Sequence, residues 1–430
     1  MNKYTVVLNS RKVHFSKKYE EIRMNQLNPV FIPGPTNLPE SVRRVIDQPT
    51  IDHRSPAFAS LLPQLFGDLK KVFATDAAKI FVFPGTGTGG WEATIANTLS
   101  RGDRVLACRH GVFSDKWIRL CQNFGLIVDI IDCDWGGPAD PIRIEEILRA
   151  DSGGQIKAVL ATHNETATGV RTDLAAIREA INASGSEALF FVDGVSSIAS
   201  MDFRMDEWGI DGAVTGSQKG LMLPAGLAIV ALSEKAIKAG KSAGLPRFFF
   251  DCSQMDQMTA AGGFPYTPPM QLIAGLQHSL DLLLTEGLDQ VFSRHFKMAE
   301  GVRQAVASWG YKLCCRDLQF ASDTVTTILV PEGFNADRLV EYAYSRYGMS
   351  FGVGLGQLAG QAFRIGHLGM LTEAQALSGL AVIEMAMKDL GHPIVSGSGV
   401  SAAQDWYRSA FSADPQASAA IGEPVCEDVA

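Results

Sequence analysis

Nowhere in this chain do two cysteines form a Cys-x-x-Cys pair, and its seven cysteines are an odd, scattered set with one adjacent pair, Cys314-Cys315. This argues against a disulfide framework or a zinc site and predicts reduced thiols, no bound metal and a cytoplasmic setting. No apolar run approaches the roughly 20 residues that span a bilayer, and the N-terminus lacks the apolar core of a secretory signal. A long basic run is missing too. With a formal charge of −8 there is no electrostatic footprint for nucleic acid or a membrane surface, so a small-molecule partner is expected. No internal repeat is visible. The 430 residues, 46% hydrophobic and 20% charged, have an ordinary globular composition and enough length for a large core in two or three domains.

The first two dozen residues differ from the rest. Lys3, Arg11, Lys12, Lys17, Lys18 and Arg23 stand against only Glu20 and Glu21. The acidic pair weakens a transit-peptide reading. Residues 1–28 are expected to be a mobile extension without a function of their own.

From about residue 75 to 235, short apolar runs alternate with longer amphipathic stretches, the pattern of a mainly parallel sheet wrapped by helices. Seven strands are predicted: Ile80 to Phe83, Arg104 to Ala107, Ile127 to Ile131, Ala158 to Ala161, Leu189 to Val192, Gly212 to Thr215 and Leu227 to Leu232. A long helical pattern from about 270 leads into a smaller α/β region with strands near Thr326 to Val330 and Ala362 to Ile365. The division expected is a large domain over 29–287, a small C-terminal domain over 288–395, and a peripheral tail rich in Ala, Ser and Gly over 396–430.

Ligands on such sheets sit at the carboxyl ends of the strands, and unusual residues fall there. Gly85-Thr86-Gly87-Thr88-Gly89-Gly90 follows one strand and opens a helix, where exposed N–H groups and hydroxyls make a phosphate cup. Its glycine spacing also fits a dinucleotide loop, but no acid ends the next strand, which runs into Cys108-Arg109-His110. The Gly-Lys-Ser/Thr ending of a nucleoside triphosphate loop is missing as well. Asp193 ends the apolar strand Phe190-Phe191-Val192, and Lys219 lies in Thr215-Gly216-Ser217-Gln218-Lys219-Gly220. Singly, the glycines could be a tight turn, Asp193 a helix cap and Lys219 a surface lysine. Together they match what pyridoxal 5′-phosphate requires: a lysine to hold and exchange an aldehyde, and a carboxylate to keep a pyridine nitrogen protonated. Arg364, inside the apolar Phe363-Arg364-Ile365-Gly366, could be an exposed-face or ion-paired residue. Its planar fork equally suits a substrate carboxylate.

These residues, in this order, resemble the class V, fold-type I aminotransferases, most closely the alanine, serine and aspartate–glyoxylate branch. The likeness runs from Phe31 to about Tyr407. It is carried by Pro33-Gly34-Pro35-Thr36-Asn37, Asp52-His53-Arg54-Ser55-Pro56, Thr162-His163-Asn164-Glu165-Thr166-Ala167-Thr168-Gly169-Val170, the Lys219 segment, Tyr266-Thr267-Pro268-Pro269 and the Arg364 segment.

The resemblance implies a seven-stranded, mainly parallel large domain and a smaller α/β domain. It implies phosphate binding by Thr86, Gly87, Thr88 and Gln218, with Thr267 reaching the same phosphate from the other subunit of a homodimer, a higher oligomer being the alternative. Thr166 would meet the ring hydroxyl, Asp193 the pyridine nitrogen, and Val195 and Phe113 the ring faces. Phe264 stands where relatives have a tyrosine, lacks the hydroxyl, and is left out of the site. Gly34 and Arg364 would bind the substrate carboxylate. The implied reaction is ping-pong transfer of an amino group from L-aspartate or L-serine to glyoxylate, with Lys219 moving the proton. An alanine donor and a lyase or desulfurase are the alternatives within the family. The desulfurase needs a reactive cysteine before the arginine, and residues 348–361 contain none. A cofactor-binding protein without activity is the alternative outside it. An aspartate donor would favour a second cation, for which His53, Arg54 and Arg247 are candidates.

Overall fold

The structure, a computed structural model, describes residues 29–412 and, as backbone alone, 5–8 and 11–14. Strands β1 (Thr5–Leu8) and β2 (Arg11–His14) pair antiparallel; the rest of the extension expected to be mobile lies outside the described residues. A two-residue strand β3 (Val30–Phe31) opens the main body.

The large sheet consists of β4 (Lys79–Gly85), β5 (Arg104–Arg109), β6 (Ile127–Asp132), β7 (Ile156–Thr162), β10 (Leu189–Asp193), β11 (Gly212–Gly216) and β12 (Gly226–Leu232). All seven predicted strands are present. Their order is β4-β12-β11-β10-β7-β5-β6, and β12 alone runs against its neighbours. Strands β10 and β11 are buried along their whole length. Helices cover both faces of the sheet there, which is why these strands read as unbroken apolar runs rather than alternating ones. Because β4 and β11 are both antiparallel to β12, the carboxyl ends of β4, β5, β7, β10 and β11 share one edge. Just past β7, the two-residue strands β8 (Asn164–Glu165) and β9 (Val170–Arg171) form a hairpin at that edge.

The smaller sheet has the order β13-β14-β16-β15-β3, with β13 (Lys312–Leu313), β14 (Val325–Leu329), β15 (Ser350–Val353) and β16 (Ala362–Gly366). Here the expected boundaries need correction at both ends. Strand β3, assigned by its position to the large domain, pairs in parallel with β15, and Phe31 stacks on Phe351 with ring centroids 5.6 Å apart. The stretch expected to be a peripheral tail contains a helix, Ser398–Ser412, packed along the helix Leu288–Ser308. Its Ala403 and Tyr407 are buried in the small core, and the Tyr407 hydroxyl donates to Met298 O at 3.0 Å. The Ala and Ser content hid the apolar stripe of Tyr407, Trp406 and Phe411. Among the described residues no helix is long and apolar enough to cross a membrane.

Two contacts bring the sheets to one site. Strand β16 carries Arg364, and the chain leaving β3 lies so close on Gly366 that a Cβ there would stand 2.3 Å from Ile32 O. That chain becomes Pro33-Gly34-Pro35, directly over Lys219 at the edge of the large sheet.

Candidate active site

Lys219 follows β11 and its ammonium donates to Pro33 O. Gly34 lies against the lysine stem: a Cβ at Gly34 would stand 2.6 Å from Lys219 Cδ and 2.7 Å from Nζ, and its φ of +102° favours glycine. Burial, assisted by the charge of Arg364 and opposed by that of Asp193, pushes the Lys219 amine down to about 8. Asp193, at the end of β10, is only 4% exposed and accepts a hydrogen bond from Val195 N at 2.9 Å. Burial is the main cause that raises its carboxyl to about 7, the Val195 N–H opposes it, and the nearby Glu165 adds to the rise. The site thus holds an amine and an acid whose charged forms are both underprovided with partners.

Beside them is the start of the helix Gly87–Thr98. Thr86, the residue before it, makes no side-chain cap, and the Thr86 and Thr88 hydroxyls are exposed. The unpaired N–H groups of this first turn are therefore available to an anion. Gly87 leaves room for Val195, whose Cγ2 would be 2.4 Å from a Cβ there. The Gln218 side chain reaches into the same corner: its Oε1 would be 2.9 Å, and Gly87 N 3.2 Å, from a Cβ on Gly216. That Oε1 is buried without a hydrogen-bond partner. An open helix start and a buried, underpartnered carboxylate fit a phosphorylated pyridine. The residues present suit pyridoxal phosphate.

Arg364 is 7% exposed in the middle of β16, donating from Nε to Val353 O at 2.8 Å and from Nη1 to Thr166 O at 3.1 Å. No carboxylate ion-pairs with it among the described residues, and burial lowers it to about 10. Thr166 donates to Ser196 Oγ at 2.8 Å, in a buried network where Asn164 Nδ2 reaches both Ser196 Oγ and Thr324 Oγ1 at 2.9 Å. Thr324 lies just before β14, so this network joins the two sheets. Ser196, Asn164 and Thr324 were not singled out from the sequence.

The largest omission is Glu165. It is fully buried, and its carboxylate accepts from Phe113 N at 3.0 Å, Ser114 N at 2.9 Å and Ala167 N at 3.1 Å. The first two are the opening N–H groups of the helix Val112–Asn123. A glutamate in a polar run normally faces solvent; only its place in a quoted motif could have drawn notice.

The structure therefore gathers Gly34, Gly87, Val195, Thr166, Asp193, Gln218, Lys219 and Arg364 by direct contact or charge. Thr86 and Thr88 stand with Gly87, and Phe113 is tied in through Glu165. Thr267 is different: it is exposed, and no hydrogen bond joins it to these residues within the chain. Arg247 is removed as a substrate cation: its Nε lies 3.7 Å from the Asp251 carboxylate, so its charge already has a partner, and its Nη1 faces the carbonyls of Ala96, Ala243 and Leu245. His53 lies 3.8 Å from Asp52, and Arg54 is exposed.

The chain is similar to known proteins along most of its length. Residues 51–342 match the family model Aminotransferase class-V. The chain is 57% identical over 390 residues to the L-aspartate–glyoxylate aminotransferase of Paracoccus denitrificans, covering 91% of this chain and 98% of that one. It is 49% identical over 386 residues to the serine–glyoxylate aminotransferase of Methylorubrum extorquens, covering 89% and 96%. Among solved structures, pyridoxamine-pyruvate aminotransferase from Mesorhizobium loti superposes with a TM-score of 0.83 at 28% identity, over 90% of this chain and 98% of that one. Ureidoglycine-glyoxylate aminotransferase from Bacillus subtilis does so with 0.82 at 27%, over 89% and 99%. The fold is fold-type I, and with a matching family model, curated relatives spanning nearly the whole chain and a lysine–aspartate–arginine site at the sheet edge, this protein belongs to the class-V aminotransferases.

Proposed function

We propose that the protein moves the amino group of a small L-amino acid, L-aspartate or L-serine, to glyoxylate, giving glycine and the corresponding 2-oxo acid. The observation that carries this reading is Arg364: a buried guanidinium that meets only carbonyl oxygens, beside a lysine whose amine it helps to neutralise. A buried charge is costly until paired. An α-carboxylate entering there supplies the missing partner in two parallel hydrogen bonds. The relatives at 57% and 49% identity support glyoxylate as acceptor and rank aspartate ahead of serine as donor.

Pyridoxal 5′-phosphate would be held at its phosphate by Thr86, Gly87, Thr88 and Gln218, at its ring hydroxyl by Thr166, at its pyridine nitrogen by Asp193, and on its faces by Val195 and Phe113. Bound there, it supplies an aldehyde that exchanges amines and a ring that takes up an electron pair. The residues of the chain do the rest. Gly34 and Arg364 orient the α-carboxylate. Lys219 Nζ would take the proton from the substrate α-carbon and would return it at the cofactor C4′. An amine lowered to about 8 has far more free base at neutral pH than an ordinary lysine near 10.5. Asp193 would stay ionised opposite a positively charged ring nitrogen, a partner that would offset the burial cost it bears alone.

Activity of the purified protein with L-aspartate, L-serine and L-alanine, each against glyoxylate, tests the reading. The highest kcat/KM is expected with aspartate or serine. Failure of all three with glyoxylate, alongside turnover of another oxo acid, would overturn it.

The resemblance implies a homodimer in which Thr267, exposed in this chain, would complete the neighbour's phosphate site. Inactive Lys219→Ala chains mixed with chains disabled by a bulky replacement of Thr267 should then regain roughly a quarter of full activity, because one site in each heterodimer collects neither defect. No recovery despite subunit exchange would assign Thr267 to its own subunit.

A further inference from the structure

Glu165 is a buried carboxylate that the transfer reaction, as derived above, does not use. Its surroundings are specific. Both carboxylate oxygens lie within hydrogen-bonding distance of Phe113 N, at 3.2 and 3.0 Å, and Oε2 also receives Ser114 N. The backbone makes way for it: a Cβ on Gly111 would stand 2.2 Å from Glu165 Cγ and 2.3 Å from Cδ. Gly111 has an extended φ of 174°, open to any residue, so the close approach of Glu165 is what requires glycine. On its other side the same short turn is gripped by the small sheet. Arg364 Nη1 donates to Thr166 O, and Thr327 Oγ1 donates to Ala167 O at 3.3 Å.

The geometry points to Glu165 as a positioning residue that fixes the first turn of the helix Val112–Asn123, and with it the Phe113 ring against the cofactor. This rests on the reading of the site as a pyridoxal phosphate site. A carboxylate suits the task because it accepts several N–H donors at once at the positive end of a helix. A glutamine presents one acceptor oxygen and turns an NH2 group toward the donors. One face of the Phe113 ring already carries Lys116 Nζ, 5.3 Å from its centroid, so the ring is oriented by its own helix as well as by Glu165. The peptide that follows Glu165 binds Arg364, so one rigid turn sets both the substrate arginine and the ring residue.

The test is a double-mutant cycle read by the dissociation constant of pyridoxal phosphate, from its visible absorbance and circular dichroism on titration into the apo-protein. Glu165→Gln should weaken cofactor binding about tenfold and reduce the visible dichroism. In a Phe113→Leu background the same change should weaken binding less than about threefold, because its effect runs through the ring. Equal losses in both backgrounds would overturn the proposal and leave Glu165 a helix cap. If Glu165→Gln does not fold, Gly111→Ala takes its place, since it keeps the charge and displaces the carboxylate. The same two outcomes then decide. Wild-type protein that takes up no pyridoxal phosphate would instead sink the reading of the site as a whole, which separates the two failures.

Discussion

Asp193 and Arg364 are both buried and both belong to side chains that are charged in water, yet they are set in different kinds of structure. Asp193 ends a strand of the large sheet, where the carboxyl edge opens into loops and one N–H from Val195 meets its carboxylate. Arg364 lies inside a strand of the small sheet, with carbonyl oxygens for partners. Each is left short of opposite charge. The acid is driven up and the guanidinium down, by burial in both cases. On the function proposed above, one region would meet a positive ring and the other a negative substrate, with Lys219 between them feeling both charges.

Removing the group between the two regions should have the largest effect. Lys219→Ala is expected to abolish transamination, since no other amine among the described residues is placed to hold the cofactor and carry the proton. Its purified form should lack the absorbance of lysine-bound cofactor, and normal turnover would refute the assignment.

Asp193→Asn attacks the acidic end. The first half-reaction should slow by about 10²–10³-fold in single-turnover measurements, the range seen when one preorganised electrostatic partner is lost. The apo-protein sharpens the point through pH. The folded carboxyl is raised from 3.8 to about 7, so its contribution to stability is fully present below about 3.8 and is lost as pH rises through about 7. Apo Asp193→Asn lacks that loss. It should melt above apo wild type at pH 8, with the gap closing toward pH 4; a gap constant across this range would contradict the burial argument.

At the basic end, Arg364→Lys keeps a charge but not the fork. Its kcat/KM should fall by about 2 kcal/mol, roughly 30-fold, for amino donor and glyoxylate alike. Unchanged values for both substrates would remove Arg364 from the substrate site.

The two regions also differed in how plainly the sequence announced them. Strands such as Leu189–Asp193 are covered on both faces, so they appear as apolar runs that need no partner to be recognised. One edge of the small sheet depends on a pairing across 320 residues, Val30 with Ser350: Val30–Phe31 is too short to show a period, and it is a strand only because Ser350–Val353 lies beside it. The site followed the same rule. Lys219, Asp193 and the glycine loop carry a local composition that chemistry can interpret. Glu165 does not, because its role depends on depth and on the backbone of a helix some fifty positions earlier. Arg247 failed in the opposite sense: a guanidinium in sequence says nothing of the carboxylate, here Asp251, that will already answer its charge.

The small core joins Phe31, near the beginning of the chain, to Tyr407, near its end. Synthesis at ~5–20 residues per second separates the arrival of these two rings by roughly 20–75 s. All strands of the large sheet emerge within that interval, so a nascent chain can hold a finished large domain while β3 still lacks its partner strand and the Leu288–Ser308 helix its last neighbour. During that wait the apolar faces of the unfinished half are open to solvent and to other ribosomal products. Chaperone demand should therefore be concentrated late in translation, and a premature stop before codon 398 should yield a protein with an intact first half that is nevertheless prone to aggregate.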